Sequence, residues 1–411
     1  MAIADLVDWL DAHADPSFLW YIKRLSGNDT LANGSHQAGP YIPKEFMFSV
    51  FPAINHPKEK NPDVWFDLRI DSHAGHCKAR AIWYNNKLHG KPKGGRNETR
   101  ITQLGGRSSA LLDPESTGAL AVFAFELVGG AAGACHVWVC RNAAEEELIE
   151  DRVGPVEPGT WAMWSSRHGP SAGLFAPPLP RTSCRLLPAD IPAAWLTRFP
   201  TGAEIIGKVV DMRPDPGIDP DRRLVRRREC EFQLFQSVEE AVELPAITAG
   251  FTSVDEFIAR AQTVLQRRKA RSGRSLELHA RQIFIEEGLR ESADFAHQPE
   301  SDPGKRPDFL FPSELAYKDR TFPDTKLRML AVKTSCKDRW RQVTEEADRI
   351  KPKHLLTLQE GVSENQFRQM TGAGVRLVVP SPLVSSYPAS VRPFLQTFDS
   401  FIRDIRSLRL T

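Results

Sequence analysis

The apolar residues of this chain change their spacing part-way along it, and that change restricts the fold more than any other feature. Between residues 64 and 140 they come in short runs, VWFDLRI, ARAIWYN, GALAVFAFELV and HVWVC, with turn-rich stretches such as NGSHQAGPY and HGKPKGGRNE before or between them. Runs of this length bounded by Gly, Asn and Pro read as strands, so the first part is expected to be mainly β with some helix. Beyond residue 250 the period lengthens. SVDEFIARAQTVLQRRK opens with Ser253 as a helix cap and Glu256 as its reciprocal acid, and Phe257, Ala261, Val264 and Leu265 follow on one side. SLELHARQIFIEEGL repeats the pattern as a second helix, with Leu276, Ala280, Ile283 and Phe284 facing a core and Gly288 as a stop.

From there the segments alternate. RPDFLFPS, LRMLAVKT, HLLTLQ and VRLVVP read as strands, whereas RWRQVTEEADRI, SENQFRQMTGAG and SVRPFLQTFDSFIRDIRSL read as helices. Strands separated by helices predict an α/β domain with both faces of its sheet covered. A length of 411 residues also exceeds a usual single core. The division expected is a first domain over 1–190, a linker and connecting segment over 191–230, and a second domain over 231–411. VVDMRPDPGIDPDRR, rich in Pro and Asp, is the best linker candidate.

The formal charge of +2 does not mark a nucleic-acid binder, but its distribution points that way. RRLVRRR at 222–228 holds five arginines, and RRKARSGR at 267–274 holds five basic residues, patches able to serve a polyanion. The six cysteines, Cys77, Cys135, Cys140, Cys184, Cys230 and Cys336, are scattered. They suggest neither a disulfide framework nor a zinc site, which fits a reducing compartment and a cytoplasmic protein. The N-terminus lacks the apolar stretch of a secretion signal, and no segment suits a membrane crossing.

One constellation carries chemistry. Asp308 opens a strand-like run, Lys333 closes the next after 24 intervening residues, and Glu346 follows thirteen positions later in a predicted helix. Two carboxylates can hold Mg²⁺, a hard cation that takes oxygen ligands, and an ammonium beside them can orient water and offset charge on a phosphoryl group. Those residue types suit phosphodiester hydrolysis. The spacing alone equally fits solvent-exposed caps and salt bridges, since Pro-Asp is common at loop-to-strand boundaries. Glu277, early in the preceding helix, is a further acid or simply a helix-face partner of Arg281.

At PDFLFPS, AVKTSCKDRWRQ and the acid thirteen positions after Lys333, the chain resembles the EcoRII-type (Type IIE) restriction endonucleases. YIKRLSGNDT, GSHQAGPYIP, FPAINH, ARAIWYNN, RNETRIT, DPESTGAL, VWVC, SVDEFIA and RRKARSGRSLELH extend the likeness over nearly the whole chain in the same order. The resemblance implies a homodimer with an N-terminal, mainly β, barrel-like effector-DNA domain and a C-terminal α/β restriction-endonuclease-like domain of the PD-(D/E)XK class. It implies Mg²⁺-dependent cutting of double-stranded DNA at a short pseudopalindrome, CC then A or T then GG. It further implies activation by more than one target copy, autoinhibition by the N-terminal domain, and a cognate DNA methyltransferase in the same system without a stable complex.

The residue roles that follow from the resemblance are these. Asp308, Lys333 and Glu346 stand at the catalytic positions, with Asp308 and Glu346 on the metal and Glu277 as an additional acid nearby. The acid usual two residues before the lysine is Ala331 here, and Glu346 replaces it, with Glu345 as the neighbouring alternative. Lys337, Asp338 and Arg339 match the base-reading segment, and arginine and aspartate suit guanine and cytosine edges. Arg228 and Phe232 match positions that contact the central base pair or hold extruded bases. In the first domain Arg96, Glu98 and Arg100 match effector-DNA contacts, as do His36, Tyr41 and Lys23. Thr99 stands where a basic residue is frequent, and Lys91 and Lys93 are expected to compensate.

Two other classes compete with the nuclease reading: a catalytically silent DNA-binding module or regulator, and an RNA-processing nuclease. An intact Asp308, Lys333 and Glu346 argues against the first. The KDR segment argues against the second, because RNA is read through shape and 2′-hydroxyls.

Overall fold

Seven strands form one sheet in the first part of the chain: β1 (Phe18–Arg24), β2 (Asp63–Ile70), β3 (Gly75–Tyr84), β4 (Glu98–Thr102), β5 (Leu120–Val128), β6 (Ala131–Val139) and β7 (Trp161–Trp164). The structure is a computed structural model and describes residues 3–34, 39–90, 95–165 and 184–408. It divides into two units. Unit 1 is residues 1–177 with 359–368 and 385–393; unit 2 is residues 178–358 with 369–384 and 394–411.

In unit 1 the strand order is β4-β3-β2-β6-β5-β1-β7, a half-barrel that bears out the barrel-like expectation. All pairs are antiparallel except β2 with β6. The near-continuous apolar run of β5 has a physical cause: both faces of the strand are buried. Ala121, Phe123 and Phe125 face a core with Phe46, Phe51 and Phe66, while Leu120, Val122 and Ala124 face a second core with Trp9, Trp20 and Trp138. The β5–β6 hairpin turns through Gly129 and Gly130, both at positive φ (61° and 87°), as a tight two-residue connection requires.

Unit 2 holds a five-stranded sheet of order β12-β11-β10-β9-β8, with β8 (Ala296–His297), β9 (Phe309–Phe311), β10 (Arg328–Val332), β11 (Lys353–Leu356) and β12 (Val375–Val378). β8, β9 and β10 are antiparallel neighbours, whereas β10, β11 and β12 run parallel. Phe284, Phe295, Phe309, Phe311, Phe398 and Phe401 fill its core, bringing helices Val254–Glu286 and Phe398–Ser407 onto the sheet. Asp221, in the first turn of the helix Pro220–Ala249, accepts from the backbone N–H groups of Ser381, Phe398 and Asp399 and so ties three segments together.

Several expectations need correcting. The two helices read over 253–287 are one, Val254–Glu286. Ser253 does cap it, accepting from the N–H of Glu256, but the reciprocal bond of Glu256 goes to Thr252 instead. The terminal helix begins only at Phe398, where Thr397 caps it, and the helix expected over 339–350 is a single turn, Trp340–Val343. Residues 191–230 are not bare chain: helices Ala193–Thr197 and Gly202–Met212 pack Trp195, Ile205 and Val209 against Leu234 and Val238.

The thiol expectation also fails at one point, because Cys184 and Cys230 form a disulfide across 46 residues. Nor are the two basic runs open patches. Arg223 and Arg227 pair with Glu286, Arg226 with Asp215, Arg228 and Arg271 with Glu231, Arg268 with Glu239, and Arg267 with Glu243. Acids spaced along Pro220–Ala249 meet bases spaced along Val254–Glu286. The sequence conceals this pairing because the partners lie up to about 60 residues apart, well beyond the helical i,i+4 range.

Candidate active site and DNA-binding face

The antiparallel pairing of β9 with β10 decides where the chemistry lies. Phe309 pairs with Leu330 and Phe311 with Arg328, so the start of β9 lies beside the end of β10. Asp308, one residue before β9, accepts the backbone N–H of Val332 at 2.6 Å, and Lys333 follows immediately, its own N–H bonded to Leu356 O on β11. Strand pairing alone therefore brings together residues 24 positions apart. Ala331, where an acid is usual, is fully buried in the sheet and could present nothing to a ligand.

Glu346 reaches the same place from a turn. The helix stops at Val343, and the buried Ala347 adopts φ +47°, which swings the chain out of helical continuation. Arg349 fixes that excursion by donating to the carbonyl oxygens of Tyr317, Asp319 and Phe322 and to Asp324. Lys353 donates to Glu346 O from the other side. Glu345, by contrast, is exposed.

The electrostatics of this cluster are unbalanced. Burial pushes the Asp308 carboxyl above the usual range, with the Glu277 charge adding to the rise and the Lys333 charge and the Val332 N–H opposing it. Burial, and then the Asp308 charge, push Glu346 up to about 7, against Lys333 and Lys353. Glu346 Oε2 is buried and has no hydrogen-bond partner. Buried polar atoms are nearly always satisfied, and like charges share a site only at a cost, so this oxygen marks a place for a cation. Carboxylate oxygens are the donors Mg²⁺ takes, so the residues present fit that ion.

Glu277 projects from Val254–Glu286 and its charge acts on Asp308. It does not pair with Arg281, which bonds Glu291 instead. His297 and Gln298 both hydrogen-bond Glu277 Oε1, and the His297 ring stacks on Phe309 at 5.2 Å between centroids. Sequence reasoning missed His297, Gln298 and Lys353. The only available signal was polar residues flanking two short strands.

The remaining positions divide clearly. Lys337, Asp338 and Arg339 form the turn that leads from Lys333 to Trp340, all three half-exposed, while Trp340 packs inward. Arg228 is buried between Glu231 and Ser275, and Phe232 lies under Arg271, whose guanidinium carbon is 5.0 Å from the ring centroid. Arg228 is held inside the helical pair, whereas Phe232 is half-buried. A cavity of about 410 Å³ beside them is lined by Phe199, Phe235, Arg267, Arg271 and Arg274.

In unit 1, strand alternation places Glu98 and Arg100 on one face of β4, with Arg96 two residues before. Arg100 lies 3.5 Å and Arg96 4.0 Å from Glu98 Oε1, and Arg96 stands over the Tyr84 ring. Tyr41 is 47% exposed and feels the charges of Glu98 and Arg100. Thr99 points the other way, fully buried and donating to Ile42 O. Lys23 lies in β1 and pairs with the buried Asp29 at 2.6 Å. Lys44, 3.2 Å from Asn97, joins this face and was not singled out from the sequence. His36, Lys91 and Lys93 lie outside the described residues.

The mixed sheet of unit 2, with two half-buried carboxylates and a lysine gathered at the shared end of two of its strands, is the α/β fold of the PD-(D/E)XK nuclease class. The family models described as "EcoRII C terminal" and "Restriction endonuclease EcoRII, N-terminal" match residues 235–402 and 14–168. The chain is 46% identical over 405 residues to the Type II restriction enzyme EcoRII of Escherichia coli, covering 98% of this chain and 97% of that one. Among solved structures, metal-depleted Ecl18kI in complex with uncleaved, modified DNA is 18% identical, with a TM-score of 0.43, over 55% of this chain and 85% of that one. The UbaLAI restriction endonuclease B3 domain with cognate DNA is 19% identical, with a TM-score of 0.26, over 39% of this chain and 98% of that one.

The chain belongs to the EcoRII family of Type II restriction endonucleases. It is a sequence-specific endonuclease that hydrolyses double-stranded DNA with Mg²⁺. Among the described residues no helix is long and apolar enough to cross a membrane.

Proposed function

We propose that cleavage is carried out by Asp308, Glu346 and Lys333, with Glu277 as an auxiliary acid, at a target of the CC(A/T)GG type. The observation that supports this most is the unpartnered, buried Oε2 of Glu346 beside the Asp308 charge. Asp308 and Glu346 would hold the Mg²⁺, which supplies charge stabilisation to the phosphoryl group during in-line displacement. Asp308 is fixed for this by the Val332 N–H, and Glu277 by His297 and Gln298. Lys333 orients the attacking water and offsets charge on the non-bridging oxygens.

Lys337, Asp338 and Arg339 follow Lys333 within six residues, close enough to read base edges beside the scissile phosphate. The half-buried ring of Phe232 could stack on a central base only after Arg271 moves off it. A nearly symmetric target is read most directly by a homodimer, one nuclease site per strand. At the tip of the helical hairpin, Leu244, Ile247, Val254 and Phe257 are all more than half exposed, apolar surface consistent with such an assembly. A cognate DNA methyltransferase belongs to the same system, and the cytoplasm is the expected location.

The face carrying Arg96, Glu98, Arg100 and Tyr41 is proposed to bind a further copy of the target as effector. Support for regulation comes from within unit 1, which includes residues 359–368 and 385–393. Glu115 accepts from Ser363 Oγ at 2.5 Å, Gln366 donates to Glu115 O, and Lys23 acts electrostatically on the half-buried Glu360. Phosphate arriving at Lys23 would compete with Asp29 and Glu360 for that ammonium, loosening these segments.

Supercoiled DNA bearing two target copies, incubated with the protein and Mg²⁺, tests the reading. Cutting by the wild type and none by Lys333→Ala is expected. Binding without cutting by the wild type would favour a silent module, and cutting confined to RNA would favour an RNA nuclease.

A further inference from the structure

Unit 1 contains a second group of potential metal ligands that shares no residue with the nuclease carboxylates. His13 follows the helix Ile3–Ala12, Asp71 follows β2, and His136 lies in β6. One ligand atom from each lies within 4.8 Å of the other two. The His13 and His136 rings are 4.5 Å apart between centroids, and His13 is only 9% exposed.

Their hydrogen bonds fix which nitrogens are available. His13 Nδ1 lies 2.7 Å from the carbonyl oxygen of Trp9, which can only accept, so that nitrogen carries the proton and Nε2 carries the lone pair. His136 Nδ1 lies 2.9 Å from Asp71 Oδ2, so Nδ1 is the His136 nitrogen that faces the shared ligand position, and a metal bound there takes the place of the proton between ring and carboxylate. Trp9 Nε1 donates to the same Asp71 oxygen at 2.7 Å, holding the carboxylate in place. An imidazole that donates Nδ1–H to a backbone carbonyl, as His13 does, is oriented as a metal-bound histidine is. Two nitrogens and one carboxylate are a poor set for Mg²⁺, which takes oxygen, and a good one for Zn²⁺ or a similar late first-row dication.

We propose that His13, Asp71 and His136 form a zinc-type site that clamps the N-terminal helix to β2 and β6. Closing around zinc brings ligand atoms to about 3.3 Å from one another, given bonds of roughly 2.0–2.1 Å. Small side-chain rotations supply that movement. Water completes the coordination, since Asp71 and His136 retain some exposure.

Full-length protein stripped with chelator and returned to excess Mg²⁺ is titrated with Zn²⁺ by calorimetry, alongside the Asp308→Ala/Glu346→Ala double variant. One zinc per chain is expected in both, with two imidazole nitrogens in its X-ray absorption fine structure. Asp71→Asn should weaken binding by about 10–100-fold, and His136→Ala should abolish it while effector DNA is still bound. If His136→Ala does not fold, His13→Gln replaces it. Absence of a zinc site in the wild type, its loss in the double variant, or its survival in both histidine variants would overturn the proposal.

Discussion

The β4 face of unit 1 and the Asp308 cluster of unit 2 treat acidic side chains in opposite ways. On the β4 face, Glu98 is already flanked by Arg96 and Arg100 and remains open to solvent, so its charge is balanced before any ligand arrives. In the proposed nuclease site Asp308 and Glu346 are half-buried side by side, and each is pushed towards its neutral form. A face proposed to bind and release a long polyanion benefits from accessible, pre-arranged charge. A site that must capture a dication benefits from negative charge left uncompensated. The difference teaches that the density of acidic residues is less informative than whether the fold has answered them.

The largest effect that would break this contrast concerns Lys333. Lys333→Ala is expected to lower single-turnover cleavage by about a thousandfold while target binding, measured by gel shift, is kept. Near-normal cleavage would place the chemistry elsewhere. Next in size, His297→Ala should reduce the Mg²⁺-dependent rate by about 10–100-fold by releasing Glu277, with an increased Mg²⁺ requirement as its signature. Arg100→Ala, on the open face, should weaken effector binding by only about tenfold and reduce the slope of affinity against salt by about one. A change in the cleavage chemistry of a preactivated complex would show that the two regions are not separable in this way.

The smallest expected effect is a pH dependence of stability. Glu346 has its folded value raised to about 7, so the folded protein holds that proton more tightly than the unfolded chain does. Stability of the metal-free protein therefore falls as pH rises from the ordinary carboxylate range through about 7, and Mg²⁺ restores it where the group is ionised. Thermal melts in chelator and in Mg²⁺ should show a larger metal-induced rise in Tm at about pH 8 than at about pH 6. Equal shifts at both pH values would mean that Glu346 does not take the metal.

Much of this was legible in the amino-acid order. The strand runs of unit 1, the alternation of unit 2 and the Ser253 cap all follow from local periodicity and hydrogen-bonding chemistry. Asp308 and Lys333 could be placed at strand ends, and the antiparallel register then brought them together. What local reasoning could not supply were long-range partners. The helix bearing Glu346 was overextended because nothing near it announced that Arg349 would draw the chain across to Tyr317 and Phe322. The basic runs looked open because their acids lie one helix away, and the Cys184–Cys230 link depended on a packing of 191–230 that Pro-rich sequence concealed.

Parallel cleavage assays on Glu346→Gln and Glu345→Gln test the central claim most directly, since the two acids are adjacent but only Glu346 faces Asp308. Measured on two-site DNA with Mg²⁺, Glu346→Gln should bind its target yet leave the phosphodiesters intact, whereas Glu345→Gln should cut at close to the wild-type rate. Retained cutting by Glu346→Gln, or its loss in Glu345→Gln alone, would contradict the account.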